Sequence, residues 1–547
     1  MLVKRFLRSR SGNFAMMFAI SAPAVLAGVG LALDVANLMT AKSNLQNALD
    51  SAVLAASRLA DASSAQTGGG KPLTREEIFD RYFKANIAGK NGLDDATATL
   101  EVDPGINYIR TSATAEADVP LTFGFFFGGN RHVTAASSAF ESTAKLEVAL
   151  VLDNTGSMGE SNMKALREGA TNLVTILQSA KTQHPQREIR AALVPFVTAV
   201  NINNPDFLKE EWIDKRLEIP AAENTSNGTN FDKLTNGKRP GHWKLFLGLN
   251  PKYPDTPDPR VDWKGCVEAR PSPYNLNDTV PDPLVPATMF VPYFAPDEPG
   301  APAKGQNADT SVFNNSYLRD PAKSSDSEST KIATQKSTSK YTAISKMTVQ
   351  TDYLITATPP LTTGPNYACP TPLAPLTADL DKLKTEISKM TYWNGSGTNV
   401  SEGLAWGHRV LSPRFGTGDD FNSDGTTKVV VVFTDGENNV FGQKSNFNGS
   451  DYGSYGYLSS KRLDSNANRS KALTSVNTMT QGMCTTLKDQ GVRVFTVVLG
   501  ADTAANRELY SKCASTTANY YPTKNQEQLK EAFQNIAFAI SQLYITN

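Results

Sequence analysis

Asp153, Thr155 and Ser157 stand at alternate positions directly after an apolar run, in the stretch KLEVALVLDNTGSMGE (145–160). Alternation lets one carboxylate and two hydroxyls face a single point. Asp435 ends a second apolar run, in VVVVFTDGENN, and Thr398 lies in NGSGTNVSEGL, where a Gly-rich turn opens a helix. If these three segments converge, they offer only oxygen donors. That suits a hard divalent cation, Mg²⁺ first, with Ca²⁺ or Mn²⁺ as alternatives. So few carboxylates among so many hydroxyls would leave the ion under-neutralised and ready to take a carboxylate from outside. Taken singly, Asp-x-Thr-x-Ser is also a helix N-cap and TDGENN a turn; their order along the chain favours the joint reading.

The elements that must position these residues form an alternating pattern. Strands are expected at 146–153, 188–200, 427–435 and 492–500, with a short edge strand near 519–524. Helices are expected at 162–179, 376–390, 400–411, 471–490 and from 526 to about 544. Nearly continuous Val/Leu strands between amphipathic helices indicate an α/β fold with a mostly parallel sheet covered on both faces. In such a sheet ligands bind beyond the carboxyl ends of the strands, where Asp153 and Asp435 fall. Residues 201–370, rich in Pro, Asn, Asp and Gly, are too long for a plain loop and form an insertion with order of its own; within it KSSDSEST (323–330) reads as locally disordered. A second segment, 441–470, carries clustered tyrosines and reads as a contact surface or a solvated loop. A right-handed crossover makes the first two strands parallel, so both long segments should leave from the metal face.

VLDNTGSM, GSGTN and VVVFTDGENN resemble the metal-ion-dependent adhesion site of von Willebrand factor type A domains. The resemblance implies a Rossmann-like domain over 145–547, with Asp153, Thr155, Ser157, Thr398 and Asp435 as metal ligands. Thr155 stands where the family commonly has serine, which keeps the hydroxyl. The implied partner is a protein that offers a carboxylate to the ion.

At the other end of the chain, residues 14–33 carry no charge over a length that crosses a hydrocarbon core as a helix. Lys4, Arg5, Arg8 and Arg10 precede them and Asp34 follows, so the positive side stays in the cytoplasm and the rest is exported. This predicts a single-pass inner-membrane protein with its bulk in the periplasm; its reach to the outer membrane or surface is left open. A signal peptide cleaved at APA (22–24) and a buried soluble helix are the competing readings. After the span a helical period continues as a stalk, or as a helix packed on its own domain, with the first region ending at 66. Residues 73–144 combine one helix, TREEIFDRYFKANI, with Thr- and Val-rich strands, as a small β-rich spacer domain.

RSGNFAMMFAISAPAVLAGVGLALDVANLMTAKSNLQNALDSAVLAAS resembles the anchor of the TadE/TadG-like proteins of the Flp (tight-adherence) pilus system. TadG-like members join that anchor to an exported von Willebrand A domain, and WKGCVEAR and GLAWGHRVLSP are similar to segments of theirs. The resemblance implies pilus-assembly or envelope proteins as partners. Processing by prepilin peptidase is not expected, because Met17 stands where the glutamate would follow Gly12.

Charge excludes little beyond one class. Lys and Arg total 54, as do Asp and Glu, so no bulk charge argues for nucleic acid. The four cysteines, Cys266, Cys369, Cys484 and Cys513, suit two disulfides outside the reducing cytosol. Three pairings exist; Cys484 with Cys513 across one strand, leaving Cys266 with Cys369 to staple the insertion, is preferred. DFNSDG (420–425) has the first half of a calcium loop, but Val431 occupies its twelfth position. His132, His184, His242 and His408 are isolated, and nucleophile-elbow, zincin and P-loop motifs are absent. A binding protein rather than an enzyme is therefore expected. The alternatives are a surface adhesin independent of pili and a metal-assisted hydrolase, the latter without an evident general base.

Overall fold

The computed structural model describes residues 10–59, 67–68, 71–104, 108–123, 129–142, 145–183, 187–250, 261–300, 313–318, 325–342, 363–416, 418–421, 423, 425–500 and 503–546. The chain divides into two compact units, one of residues 1–144 with 183–187, the other of the remainder.

The first unit is built on one long helix, α1 (Arg10–Leu59), long and apolar enough to cross a membrane. Its exposure changes sharply along its length. Met17, Ile20 and Leu26 are each more than 60% exposed, whereas Ala41, Leu45, Ala48, Leu49, Ala52, Val53 and Ala56 are buried. That second set recurs at three and four residues, the period of a single helical face. It packs on Phe79 and Phe83 of α2 (Arg75–Ile87) and on a three-stranded antiparallel sheet, β1 (Thr97–Pro104), β2 (Tyr108–Pro120) and β3 (Asn130–Ser142). Ala113, Ala115, Ala117 and Val119 line one face of β2, alternation that leaves room for the helix backbone to approach. Helix α2 starts at a capping box: Thr74 Oγ1 accepts from Glu77 N, and Glu77 Oε2 accepts from Thr74 N. The second half of α1 is thus the core of the β-rich region rather than a free stalk. At the boundary of the apolar stretch, buried Asp34 accepts from the backbone N–H groups of Thr122 and Phe123.

The second unit holds a six-stranded sheet. Its strands are β4 (Lys145–Asp153), β5 (Ile189–Phe196), β6 (Ala374–Thr377), β7 (Thr426–Thr434), β8 (Arg493–Leu499) and β9 (Tyr520–Thr523), in the spatial order β6-β5-β4-β7-β8-β9. Five strands run parallel; β6 runs antiparallel to β5. This corrects the expectation of a helix from 376, because APLT pairs with the free edge of β5 and the helix α6 (Leu380–Ser388) begins only after Asp379 caps it. The sheet is therefore mixed. The second strand ends at Phe196, short of 200, where Val197 N turns back to Ala199 O.

Alternate residues of each strand feed two cores. Val148, Leu150 and Leu152 join α3 (Gly159–Gln183), α6 and α10 (Gln526–Thr546) on one face. Ala149 and Val151 join α7 (Val400–Leu411), α8 (Arg469–Asp489) and α9 (Ala504–Cys513) on the other. Every residue of α7 is buried, because the insertion covers the side that the sheet does not: Phe290 meets Trp406 at 4.9 Å. On its sheet side, a Cβ at Gly403 would lie 2.6 Å from the Phe196 ring. We expect Gly403→Leu to lower stability by about 1–3 kcal/mol through overpacking, read as an earlier midpoint in urea unfolding.

The insertion has little regular structure but a well-defined interior. Helices α4 (His242–Leu249) and α5 (Glu328–Lys336) lie in it, and Phe231, Phe246, Phe294 and Tyr341 meet edge to face. Residues 328–336 correct the expectation of disorder at 323–330: Ser327 caps that helix by accepting from Thr330 N; positions 323 and 324 lie outside the described residues. The tyrosines of 441–470 form neither a contact surface nor a solvated loop. Tyr452, Tyr455 and Tyr457 are buried, with Tyr452 edge-on to Tyr293 and Tyr457. Two disulfides brace this unit, Cys266–Cys369 and Cys484–Cys513. In the half calcium loop, positions 422 and 424 lie outside the described residues.

Candidate metal centre

The sheet order reverses at β4. From it the chain crosses to β5 on one side, then returns to β7 on the other. Such a reversal opens a crevice at the carboxyl ends of the two central strands, the place where open α/β sheets bind ligands. Asp153 is the last residue of β4, and Asp435 follows the last residue of β7.

The side chains there are joined in a chain of hydrogen bonds. Asp153 is fully buried; its Oδ1 accepts from Thr155 N at 2.8 Å and its Oδ2 from Thr434 Oγ1 at 2.7 Å. Thr155 Oγ1 and Ser157 Oγ lie 3.0 Å apart, and Ser157 Oγ donates to Asp435 Oδ1 at 2.9 Å. Ser157 lies within one tight turn, Gly156–Met158, that leads directly into α3. That helix end adds its partial positive charge near the carboxylates.

Thr398 arrives by another route. Gly397–Thr398 form a short antiparallel ladder with Asn439–Val440, four residues beyond Asp435. The ladder requires glycine at 397, where φ is +98° and a Cβ would lie 2.1 Å from Asn439 O. Just upstream, Trp393 N donates to Asn154 O at 2.8 Å, which ties this segment to the Asp153 turn. Just downstream, Asn438 Oδ1 accepts from Val400 N at the start of α7. The structure thus brings Asp153, Thr155, Ser157 and Asp435 into direct hydrogen-bonded contact. Thr398 stands on the adjoining segment without a hydrogen bond to those four.

Electrostatics in this crevice favour a cation. Burial, then the neighbouring Asp435 carboxylate, pushes the Asp153 carboxyl up to about 7. Burial also raises Asp435, against the hydrogen bond from Ser157. Both amide atoms of Asn154 are buried without a partner. Two crowded carboxylates and two hydroxyls match the oxygen donor set of a hard divalent ion. Among the described residues no group of three or more His, Cys, Asp or Glu side chains is placed to hold a metal.

Thr434 and Asn438 escaped the sequence reading. Thr434 becomes legible only from register: Phe433 pairs with Leu152, which sets Thr434 level with Asp153. His242 and His408 play no part. Both are buried, their pKa lowered by burial, and they bond to Pro292 O and Gln490 Oε1. The long segments after Phe196 and Asp435 both emerge at this end of the sheet, since Phe196 pairs with Asp153.

Comparison with solved structures finds several pilus and adhesive proteins. The pilus adhesin SpaC of Lactobacillus rhamnosus GG matches at 12% identity and TM-score 0.30, over 84% of this chain and 36% of its own. This chain thus spans about a third of the SpaC structure. The vWF domain of the type V pili tip protein Mfa5 from Porphyromonas gingivalis matches at 10% identity and TM-score 0.31, over 74% of this chain and 97% of its own. Proximal thread matrix protein 1 of the mussel byssus, with a zinc-occupied MIDAS motif, matches at 17% identity and TM-score 0.20, over 29% and 30%. No curated protein matches the sequence. Residues 12–64 match the family described as "Putative Flp pilus-assembly TadE/G-like". They cover most of α1, both its exposed apolar length and its buried continuation, so it is this N-terminal segment that is similar to that family.

Proposed function

We propose that this protein is a single-pass inner-membrane protein whose von Willebrand A domain, in the periplasm, binds a protein partner through a divalent cation during Flp/Tad pilus assembly or envelope anchoring. The observation that carries the reading is the hydrogen-bonded chain Asp153–Thr155–Ser157–Asp435 at the switch point of a mostly parallel sheet. Asp153, Thr155, Ser157, Thr398 and Asp435 would hold the ion, Mg²⁺ by preference. A bound cation supplies an open coordination position for an outside carboxylate. The chain's own residues do the rest. Thr434 and the Thr155 N–H fix the Asp153 carboxylate, Ser157 orients Asp435, and the ladder to Asn439 fixes the segment from which Thr398 would reach the ion. The segments leaving after Phe196 and Asp435 would shape which partner fits. Exposed apolar side chains between Met16 and Met39 support the membrane anchor, and the basic residues before them support export of the rest.

The test is capture of envelope proteins on the detergent-solubilised full chain, with Mg²⁺ and with a chelator, for wild type and Asp153→Ala. We expect a set of partners that the wild type holds only with the ion and that the variant never holds. Identical partners under all conditions would sink the reading.

A further inference from the structure

The described residues of the β2–β3 connection, Leu121, Thr122, Phe123 and Gly129, lie at the depth of the apolar span. Gly30 of α1 is buried against the Phe123 side chain, where an added Cβ would lie 2.7 Å from the ring. Gly30 stands three residues before the end of the uncharged stretch 14–33, about 5 Å inside it at the rise of a helix. One turn further on, Asp34 is only 2% exposed and accepts from Thr122 N at 2.8 Å and Phe123 N at 3.0 Å. Leu121 N donates to Gly129 O across the connection.

Around this contact the remaining surface of α1 is apolar and open. Leu31, Leu33 and Val35 are exposed, Met39 is 70% exposed, and the next charged residue after Asp34 is Lys42. The apolar surface therefore runs past the level of Phe123 rather than stopping short of it. Irregular backbone is tolerated at membrane depth only where its polar groups find partners within the protein. Three N–H groups do so here, two on the Asp34 carboxylate and one on the Gly129 carbonyl. The same bonds account for Asp34, since a carboxylate at this depth must face protein rather than lipid. Along the two strands, the nearest charged residues to the connection are Asp118 and Arg131.

We propose that this end of the spacer domain enters the non-cytoplasmic face of the bilayer beside α1, with Phe123 seated on Gly30 among the lipids. The domain then rests on the membrane surface instead of standing off it. Lipid is the occupant because the exposed apolar surface around the contact is continuous with the proposed span. The contact rests on the membrane-anchor reading and is independent of the cation site.

All four cysteines are paired, so one introduced thiol can carry a fluorophore. The full chain is placed in phosphatidylcholine nanodiscs, with and without lipid bearing a doxyl quencher near the top of its acyl chain. A label at Leu31→Cys, on the exposed side of the span, reports the anchor; one at Thr122→Cys, also exposed, reports the proposed contact. Both should be quenched about twofold or more, as expected inside so thin a layer. A label at Ser138→Cys, exposed on the sheet face away from α1, should keep its emission. Quenching at Leu31 without quenching at Thr122 would overturn the proposal and leave the anchor standing; its absence at both would remove the anchor and the proposal with it. A Thr122 label shielded from both the lipid quencher and aqueous iodide would assign the surface to a second copy of the chain, again overturning the proposal. Gly30→Leu keeps the span apolar but displaces the Phe123 ring, so it should weaken quenching at Thr122 and spare Leu31. Quenching unchanged at both positions would overturn Gly30 as the seat.

Discussion

Asp153→Asn should leave the ion-free protein more stable than the wild type and make it insensitive to divalent cations. Asp153 is fully buried, and that burial first, with the like charge of Asp435 second, raises its pKa to about 7. A neutral amide removes both the burial penalty of the charge and the repulsion. The hydrogen bonds survive: Oδ1 still accepts from Thr155 N, and Nδ2 can donate to Thr434 Oγ1, whose own hydrogen turns to Gly436 O. A gain on the order of 1 kcal/mol is expected, the usual sign for replacing a destabilised functional group. The wild type should recover that deficit only with the ion. At a hundred times its dissociation constant, a ligand binding only the folded state adds about 2.7 kcal/mol. Urea melts with MgCl₂, MnCl₂ and EDTA read both effects. Equal cation shifts in the two proteins would place the ion elsewhere.

Removing the Cys266–Cys369 disulfide by double alanine substitution should lower stability by about 4–5 kcal/mol, more than removing Cys484–Cys513. The first closes a loop with a sequence separation of 103, the second one of 29. In the chain-entropy account such loops correspond to about 4.7 and about 3.6 kcal/mol. Position should matter as much as length. Cys266 and Cys369 pack with Val197, Trp393 and Tyr452, and Trp393 carries the backbone bond to Asn154 beside Asp153. Cys484 and Cys513 belong instead to the core between the sheet and α7, α8 and α9, with Leu487 and Val492. Cys266→Ala/Cys369→Ala should therefore also weaken the cation response, and Cys484→Ala/Cys513→Ala should lower the melting midpoint with the response retained. Calorimetry of both pairs, with and without Mg²⁺, separates the two effects. A larger loss from the shorter loop would show that its local packing outweighs chain entropy.

The strands that carry Asp153 and Asp435 were legible because a buried parallel strand must be apolar on both faces. VALVL and VVVVF can do little else. Helix α7 was found at its observed bounds, since Asn399 caps it and the Gly-rich turn precedes it. Its complete burial was not legible, because the covering residues come from an insertion without periodicity. The edge strand β6 was missed for a related reason. Four residues, APLT, carry no period of their own and become a strand only because β5 leaves an edge unpaired. The tyrosines of 441–470 looked solvated beside so many Gly, Ser and Asn residues. They are buried because those polar neighbours find partners inside, as when Asn448 bonds to Glu298 and Gln335.

By itself the sequence determined that a carboxylate and two hydroxyls would alternate after a buried strand, that a second carboxylate would end another, and that an uncharged helix would precede them all. Those are local facts, written in residue type and period. Tertiary structure decided which of them meet. Parallel register between β4 and β7 sets Asp153 level with Thr434, and the turn after Asp153 carries Ser157 to Asp435. Thr398 is held on the segment that pairs with Asn439–Val440 by a two-residue ladder too short to leave a signature in composition. Contact between distant segments depends on strand order and register, and neither is encoded in the spacing of residues along one segment.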